Sequence, residues 1–283
     1  MSALREHGRG PELSCGSCDF TADNGRWFDF EPQESIEAFF DEHEFDHRFD
    51  VESTHYWFRA RRELLLDVLQ KHVPPASRLL EVGCGCGYTS KTFEEAGYDM
   101  WSADLSENAL GYSSKNGVER LCRASLTDLP FKNEFDAAVA FDVIEHIPDH
   151  LRCVEQLRDA LRPEGTLIVT VPAHPVLWSS WDEIQHHVRR FRSAELKSLL
   201  EEAGLDVLLV RQFFGALVLP LLVAAGWDKL KGGKSGAEQR ASEHRTMWAP
   251  TFLNALAYRA LAVERHLPST PVGTSLLAVA RRR

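Results

Sequence analysis

The feature that most constrains this chain is an alternation of two patterns between residues 78 and 171. Short apolar runs at 78–83, 98–103, 120–124, 135–141 and 165–171 read as strands, and the segments between them, at 87–97, 106–116 and 149–161, carry apolar residues at helical spacing. Strands that are apolar nearly throughout are covered on both faces, and strand–helix–strand order gives parallel pairing. The spacing therefore predicts an α/β fold with a doubly wound sheet. A helix from Arg192 to Ala203, stopped by Gly204, leads to further strands at 206–213 and 274–280, which makes seven.

The stretch 214–272 between the last two strands is too long for a turn, and we expect a helical insertion that caps the ligand-bearing end of the sheet. Ahead of the alternation, a helix is predicted from Ser53 through Tyr56, Trp57, Leu64, Leu65, Val68 and Leu69 to Pro74. Ile36, Phe39 and Phe40 recur at helical spacing among carboxylates, whereas residues 1–26 are Gly-rich, polar and expected to be poorly ordered. Three units follow: a polar, acidic extension over 1–52, a binding domain over 53–213 plus 273–283, and the cap at 214–272.

Charge narrows the function. The chain carries a net −10, and residues 29–52 hold ten Asp/Glu against one Arg, so a basic nucleic-acid-binding surface is not expected. That acidic segment reads most simply as a solvated helix face, with a lid over the ligand as the alternative. Six cysteines in 283 residues are no disulfide framework, and the opening MSALREHGRG has no apolar run, so a cytoplasmic setting is expected. Cys15 and Cys18 form half of a zinc-ribbon pattern that lacks its second pair. Phe213 to Trp227 is apolar but broken by Pro220 and shorter than the roughly 20 residues a crossing needs. It reads as a buried cap helix or a peripheral membrane contact.

Leu79-Leu80-Glu81-Val82-Gly83-Cys84-Gly85-Cys86-Gly87 runs from a buried strand into a turn with alternate glycines, directly before a helix. Such a turn lets backbone and helix-start N–H groups approach a ligand closely. Dinucleotide sites use a related turn, but their G-x-G-x-x-G spacing differs, and the carboxylate of Glu81 would repel a pyrophosphate while attracting a cationic amine. The next strand ends at Asp104, where a carboxylate can accept both hydroxyls of a ribose.

This order, together with D-L-P-F at 128–131, F-D-A-A-V at 135–139 and L-R-P-E-G-T-L at 161–167, resembles the class I S-adenosylmethionine-dependent methyltransferases. The resemblance implies a Rossmann-like sheet whose last strand runs antiparallel, with S-adenosylmethionine as cofactor and S-adenosylhomocysteine as product. It implies that Gly83, Cys84, Gly85 and Gly87 hold the methionine portion, that Asp104 holds the ribose, and that Leu105 flanks the adenine; Asp142 is expected beside the cofactor. Where relatives often place an adenine-contacting Asp, this chain has Ser125, so adenine is expected on backbone groups of Ser125 and Leu126 with a serine hydroxyl.

The run His174-Pro175-Val176-Leu177-Trp178-Ser179-Ser180-Trp181-Asp182, followed by His187-Val188-Arg189-Arg190-Phe191, resembles a bacterial subgroup of the type 11 and 12 methyltransferase families, as does His55 to Arg62. It lies past a strand's carboxyl end, where open α/β sheets bind ligands. Methyl transfer from a sulfonium needs alignment of the acceptor and, for a hydroxyl, removal of its proton. His187 is the candidate base, with Asp182 orienting it or binding substrate; the alternative is that both brace the loop while Arg189 and Arg190 pair with nearby acids. Trp178 and Trp181 line an acceptor pocket or pack in the core. Asp142, Glu145, His146, Asp149 and His150 offer oxygen and nitrogen ligands in a pattern related to that of metal-requiring methyltransferases, but no bound metal is expected. Arg61 and Arg62 are expected to face solvent rather than a cofactor carboxylate.

The sequence thus points to a methyltransferase acting on a small-molecule or lipid-like acceptor, at oxygen. The competing readings are a noncatalytic cofactor-binding partner or regulator and, from another class, an NAD-dependent oxidoreductase.

Overall fold

The computed structural model describes residues 21–23, 27–30, 42–231, 251–267 and 270–283. Its strands are β1 (Thr21–Asp23), β2 (Trp27–Asp29), β3 (Arg78–Val82), β4 (Asp99–Asp104), β5 (Leu121–Arg123), β6 (Phe135–Phe141), β7 (Leu161–Pro172), β8 (Leu205–Phe213) and β9 (Ser275–Arg282). Its α-helices are α1 (Glu42–Glu52), α2 (Tyr56–His72), α3 (Tyr88–Glu95), α4 (Glu107–Lys115), α5 (His150–Ala160), α6 (Ser180–Ile184), α7 (Ser193–Glu202), α8 (Val218–Lys231) and α9 (Thr251–Glu264).

All nine strands join one sheet in the order β1-β2-β5-β4-β3-β6-β7-β9-β8. From β2 to β7 the pairs are parallel, and β9 runs antiparallel between β7 and β8, as expected of the last strand. Period-2 alternation splits the core into two layers. Leu80, Val82, Trp101 and Ala103 pack towards α5 and α7, whereas Leu79, Met100, Ala137 and Val139 pack towards α2 and α3. Each fully buried Leu or Phe in these layers stabilises the fold by about 2 kcal/mol relative to exposure.

Local chemistry sets the helix ends. The Ser106 hydroxyl accepts the Ala109 N–H at 3.3 Å and the Asp149 carboxylate accepts the Arg152 N–H at 3.0 Å, which satisfies N–H groups left over at the starts of α4 and α5. Pro74 follows directly on the Val73 cap of α2 and blocks its continuation.

Two expectations for the N-terminal region are corrected. Residues 21–23 are not irregular: they form β1, and β2 extends the sheet edge beside β5. Three-residue strands are too short to leave a periodic signal. The segment 42–52 is not a solvated face either. Phe45 and Val51 are buried, Phe45 stacks on Tyr112, Phe49 meets Tyr88 and Tyr112, and Tyr112 hydrogen-bonds Asp46. The charges of α1 alternate with an aromatic stripe that finds its partners on α3 and α4. Ile36, Phe39, Phe40, Cys15 and Cys18 lie outside the described residues.

The insertion leaves and re-enters the sheet at its carboxyl edge, since Ser275 is paired with both Pro172 and Phe213. Its helix α9 docks on α2: Asn254 accepts the Tyr56 N–H at 2.8 Å, Tyr258 donates to Glu63 at 2.6 Å, and Arg265 pairs with Asp67 at 3.1 Å. β3 and β6 are adjacent strands whose helices depart in opposite directions, which makes their carboxyl ends the switch point where α/β sheets take ligands.

Candidate active site

The turn after β3 is tied to β4 by two bonds, as Gly83 and Cys84 both donate N–H to the carbonyl of Ala103 at 2.8 and 3.1 Å. Gly83 has φ 76°, and a Cβ there would strike Val143, so no side chain fits. Gly85, at φ 54°, faces open space instead: a Cβ would meet nothing within 4 Å. Between them Cys84 is buried, and Gly87 starts α3 in the left-handed conformation. One side of the turn is therefore packed shut and the other is bare backbone facing an opening.

Glu81 points into this region from β3 and is 3% exposed. Ser90 donates to it and in turn accepts from Ser102 at 2.8 Å. Burial pushes the Glu81 carboxyl up to about 7, against the lowering effect of the Ser90 hydrogen bond and the Arg61 charge. A group in that state gains charge when a cation arrives. Asp104 ends β4 with one oxygen taking the Gly85 N–H and the other the Ser106 N–H, both at 2.9 Å. Burial raises its pKa while these N–H groups oppose the rise. Leu105 is half-buried beside it.

Across from Asp104, the Ser125 hydroxyl is turned into its own loop, 2.8 Å from Thr127 Oγ1 and accepting the Thr127 N–H at 3.3 Å. Leu126 is core. What this position presents to a ligand is chiefly backbone.

Asp142, at φ 56°, closes the other side of the switch point, bonded by the Thr170 hydroxyl at 3.1 Å and paired with Arg61 at 2.5 Å. Arg61 is not solvent-facing as the sequence suggested: it is 8% exposed and lies over the rings of Trp57 and Phe141. Its place follows from helical spacing, four residues after Trp57 and four before Leu65 on the stripe that meets the sheet. Its Nε has no hydrogen-bond partner among the described residues. Arg62 donates instead to the Glu52 carbonyl at 2.6 Å.

Beyond β7 the segment 173–191 folds back over the β6 loop. Asp182 is fully buried and gathers four donors: His187 Nδ1 at 2.8 Å, Arg190 Nε at 2.7 Å, and the Ser179 N–H at 2.9 Å and hydroxyl at 3.4 Å. Burial works against its ionisation, but the hydrogen bonds from His187 and Arg190 outweigh that and hold its carboxyl below the ordinary range. A proton on His187 Nδ1, directed at Asp182, leaves Nε2 with its lone pair free. Nε2 lies 4.0 Å from Glu145 Oε1, and Val188 donates N–H to the Glu145 carbonyl at 2.8 Å.

Glu145 is fully buried, and neither of its carboxylate oxygens has a hydrogen-bond partner among the described residues. Burial and the neighbouring Asp142 raise its pKa well above the ordinary carboxylate range. Burial, followed by the His187 charge, lowers the His146 imidazole to about 4. Ligand atoms of Glu145, His146 and His187 lie within 4.8 Å of one another, a set able to hold a divalent cation. Asp149 caps α5 and His150 packs on Phe191, so neither joins this group. Arg189 pairs with Glu195 at 2.8 Å, Trp178 reaches Glu183 at 3.5 Å, and Trp181 is 38% exposed.

Besides Arg61, two features escaped the sequence reading. The Ser90–Ser102 support of Glu81 had a signal, a serine in the first turn of the helix after the glycine turn. The approach of His187 to Glu145 spans 42 positions and had none.

A family model described as a methyltransferase domain matches residues 53–210. A protein of Mycobacterium tuberculosis named a probable S-adenosylmethionine-dependent methyltransferase is 31% identical over 173 residues, covering 59% of this chain and 62% of that one. The chain thus spans about three fifths of the length of that relative. A ubiquinone biosynthesis O-methyltransferase of Paraburkholderia phymatum is 28% identical over 95 residues, 31% of this chain and 41% of that one. Among solved structures, an S-adenosylmethionine-dependent methyltransferase from Mesorhizobium loti superposes with a TM-score of 0.52 at 19% identity, covering 77% of this chain and 98% of that one. Because the methyltransferase-domain model covers more than half of the chain, the chain belongs to the class I S-adenosylmethionine-dependent methyltransferase family.

Proposed function

We propose that this chain transfers the methyl group of S-adenosylmethionine to an oxygen of a small-molecule or lipid-like acceptor. When bound, the sulfonium supplies an already activated methyl group, so the chain's task is to hold both partners and remove one proton. The residues present fit that cofactor. The bare backbone at Gly85 leaves room for its amino-acid portion, Glu81 suits its ammonium, and the spare Nε of Arg61 suits its carboxylate. Asp104 retains acceptor capacity for ribose hydroxyls, and the backbone at Ser125 and Leu126 bounds the adenine position beside Leu105.

One observation carries the oxygen reading. His187 is locked by Asp182 so that Nε2 faces the Glu145 side of the β6 loop, next to Asp142 at the cofactor site. An imidazole held in this way takes a hydroxyl proton at Nε2, and Asp182 stabilises the charge that results. The likeness to a ubiquinone biosynthesis O-methyltransferase supports the same choice. A second reading is favoured by the convergence of Glu145, His146 and His187, which would make Nε2 a cation ligand instead of a base.

The test is transfer of labelled methyl to a panel of phenolic, sugar and polyprenyl acceptors, preceded by calorimetry with S-adenosylmethionine and S-adenosylhomocysteine. His187→Ala is expected to lower turnover by about 10²–10⁴ with cofactor affinity unchanged, and EDTA is expected to leave wild-type turnover intact. Full activity of the variant removes His187 as base. Loss on chelation, restored by Mg²⁺ or Mn²⁺, selects the second reading. Cofactor binding with no transfer to any acceptor favours a noncatalytic role.

A further inference from the structure

Of the fourteen large apolar side chains that stand exposed among the described residues, ten lie between 214 and 272. They are not scattered. Leu219, Val223 and Trp227 crown α8, and Phe252, Leu256 and Val263 line the outer side of α9, with Leu219 and Phe252 each 70% exposed. A surface helix ordinarily buries its apolar stripe and turns polar residues outward. α9 departs from this, for its inner side fixes Tyr258 and Leu261, and Arg265 just past its end, on α2, while its outer side is apolar apart from Arg259. α8 carries no charge from Val218 to Trp227 and buries Ala225 alone among the large and small apolar residues of that run.

Charge indicates what meets this surface. Residues 214–272 contain seven Lys/Arg and four Asp/Glu, a net +3 within a chain of net −10. A net positive insertion sequence suits an anionic lipid surface better than a second copy of itself. The order along the sequence is also interfacial: a charge-free run ending at Trp227, then Asp228 followed by Lys229, Lys231 and Lys234. No helix among the described residues is long and apolar enough to cross a membrane. The surface adjoins the candidate active site, because the insertion springs from the carboxyl edge of the sheet and α8 lies against the turn at Pro175–Leu177 that opens the acceptor segment. Val176 of that turn is itself exposed.

We propose that the α8–α9 insertion seats the protein on an anionic bilayer, and that the acceptor is an amphiphile taken from that bilayer. The acceptor class rests on the transferase reading above, while the attachment does not.

Flotation of the full chain with vesicles of phosphatidylcholine alone, or mixed with phosphatidylglycerol, tests the attachment. We expect binding to the mixed vesicles that weakens with salt and falls at least tenfold in Leu219→Glu/Val223→Glu and in Phe252→Glu/Leu256→Glu. Affinity for S-adenosylhomocysteine should be unchanged in both variants, which shows that they fold. Absence of binding to mixed vesicles overturns the proposal. So does binding that the substitutions leave intact, or a wild-type dimer that they split, which would make a second copy the occupant. Methyl transfer to acceptors in detergent is scored separately, so a failed transferase reading is told apart from a failed attachment.

Discussion

Glu81 is a buried carboxyl held near its midpoint at neutral pH, because burial raises its pKa to about 7 and the surrounding hydrogen bond and charge bring it only partly back. A ligand ammonium favours the ionised form, so at low pH binding has to expel a proton from the site. The sign follows: affinity for S-adenosylhomocysteine should strengthen as pH rises through 7. Between pH 6 and 7.5 the gain should be about five- to tenfold, measured by calorimetry, and Glu81→Gln should bind weakly and without that slope. A flat profile in the wild type would remove Glu81 from ammonium recognition. The neighbouring Asp104 differs in that its two oxygens already hold the N–H groups of Gly85 and Ser106 and fix the turn.

At the level of elements, α1 closes the glycine turn from above. Tyr88, the first residue of α3, donates its hydroxyl to the Phe49 carbonyl at 3.0 Å, and Phe45 packs with Cys86 of the turn and with Tyr112. Replacing Phe45 and Phe49 by Ala should free α1 locally. We expect faster hydrogen exchange over 42–52, little change in the exchange of β3 and β6, and about tenfold weaker binding of S-adenosylhomocysteine; unaltered binding would show that α1 plays no part in holding the ligand. The parallel strands were legible because burial on both faces writes continuous apolar runs, and the Gly83–Gly87 turn and Asp104 because a close backbone approach and a strand-end acid leave fixed spacings. The aromatic stripe of α1 was masked by the carboxylates between its members. The ionic partner of Arg61 and the meeting of His187 with Glu145 depend on loops from different strands coming together, which no local pattern encodes.

For the whole molecule, the division of labour follows the sheet. One edge carries β1 and β2, the centre opens at the β3–β6 switch point, and the far edge bears β8, β9 and the apolar insertion. Charge is divided too, with the acidic stretch 29–52 at one end of the sequence and the net positive 214–272 towards the other. The transferase reading depends on the occupant of the switch point, and calorimetric titration of the full chain measures that directly. One site per chain is expected for S-adenosylhomocysteine, with a loss of about 1–3 kcal/mol of binding in Asp104→Ala and no heat with NAD⁺ or NADH. Saturable binding of either dinucleotide, with none of the sulfur nucleoside, would contradict the transferase reading.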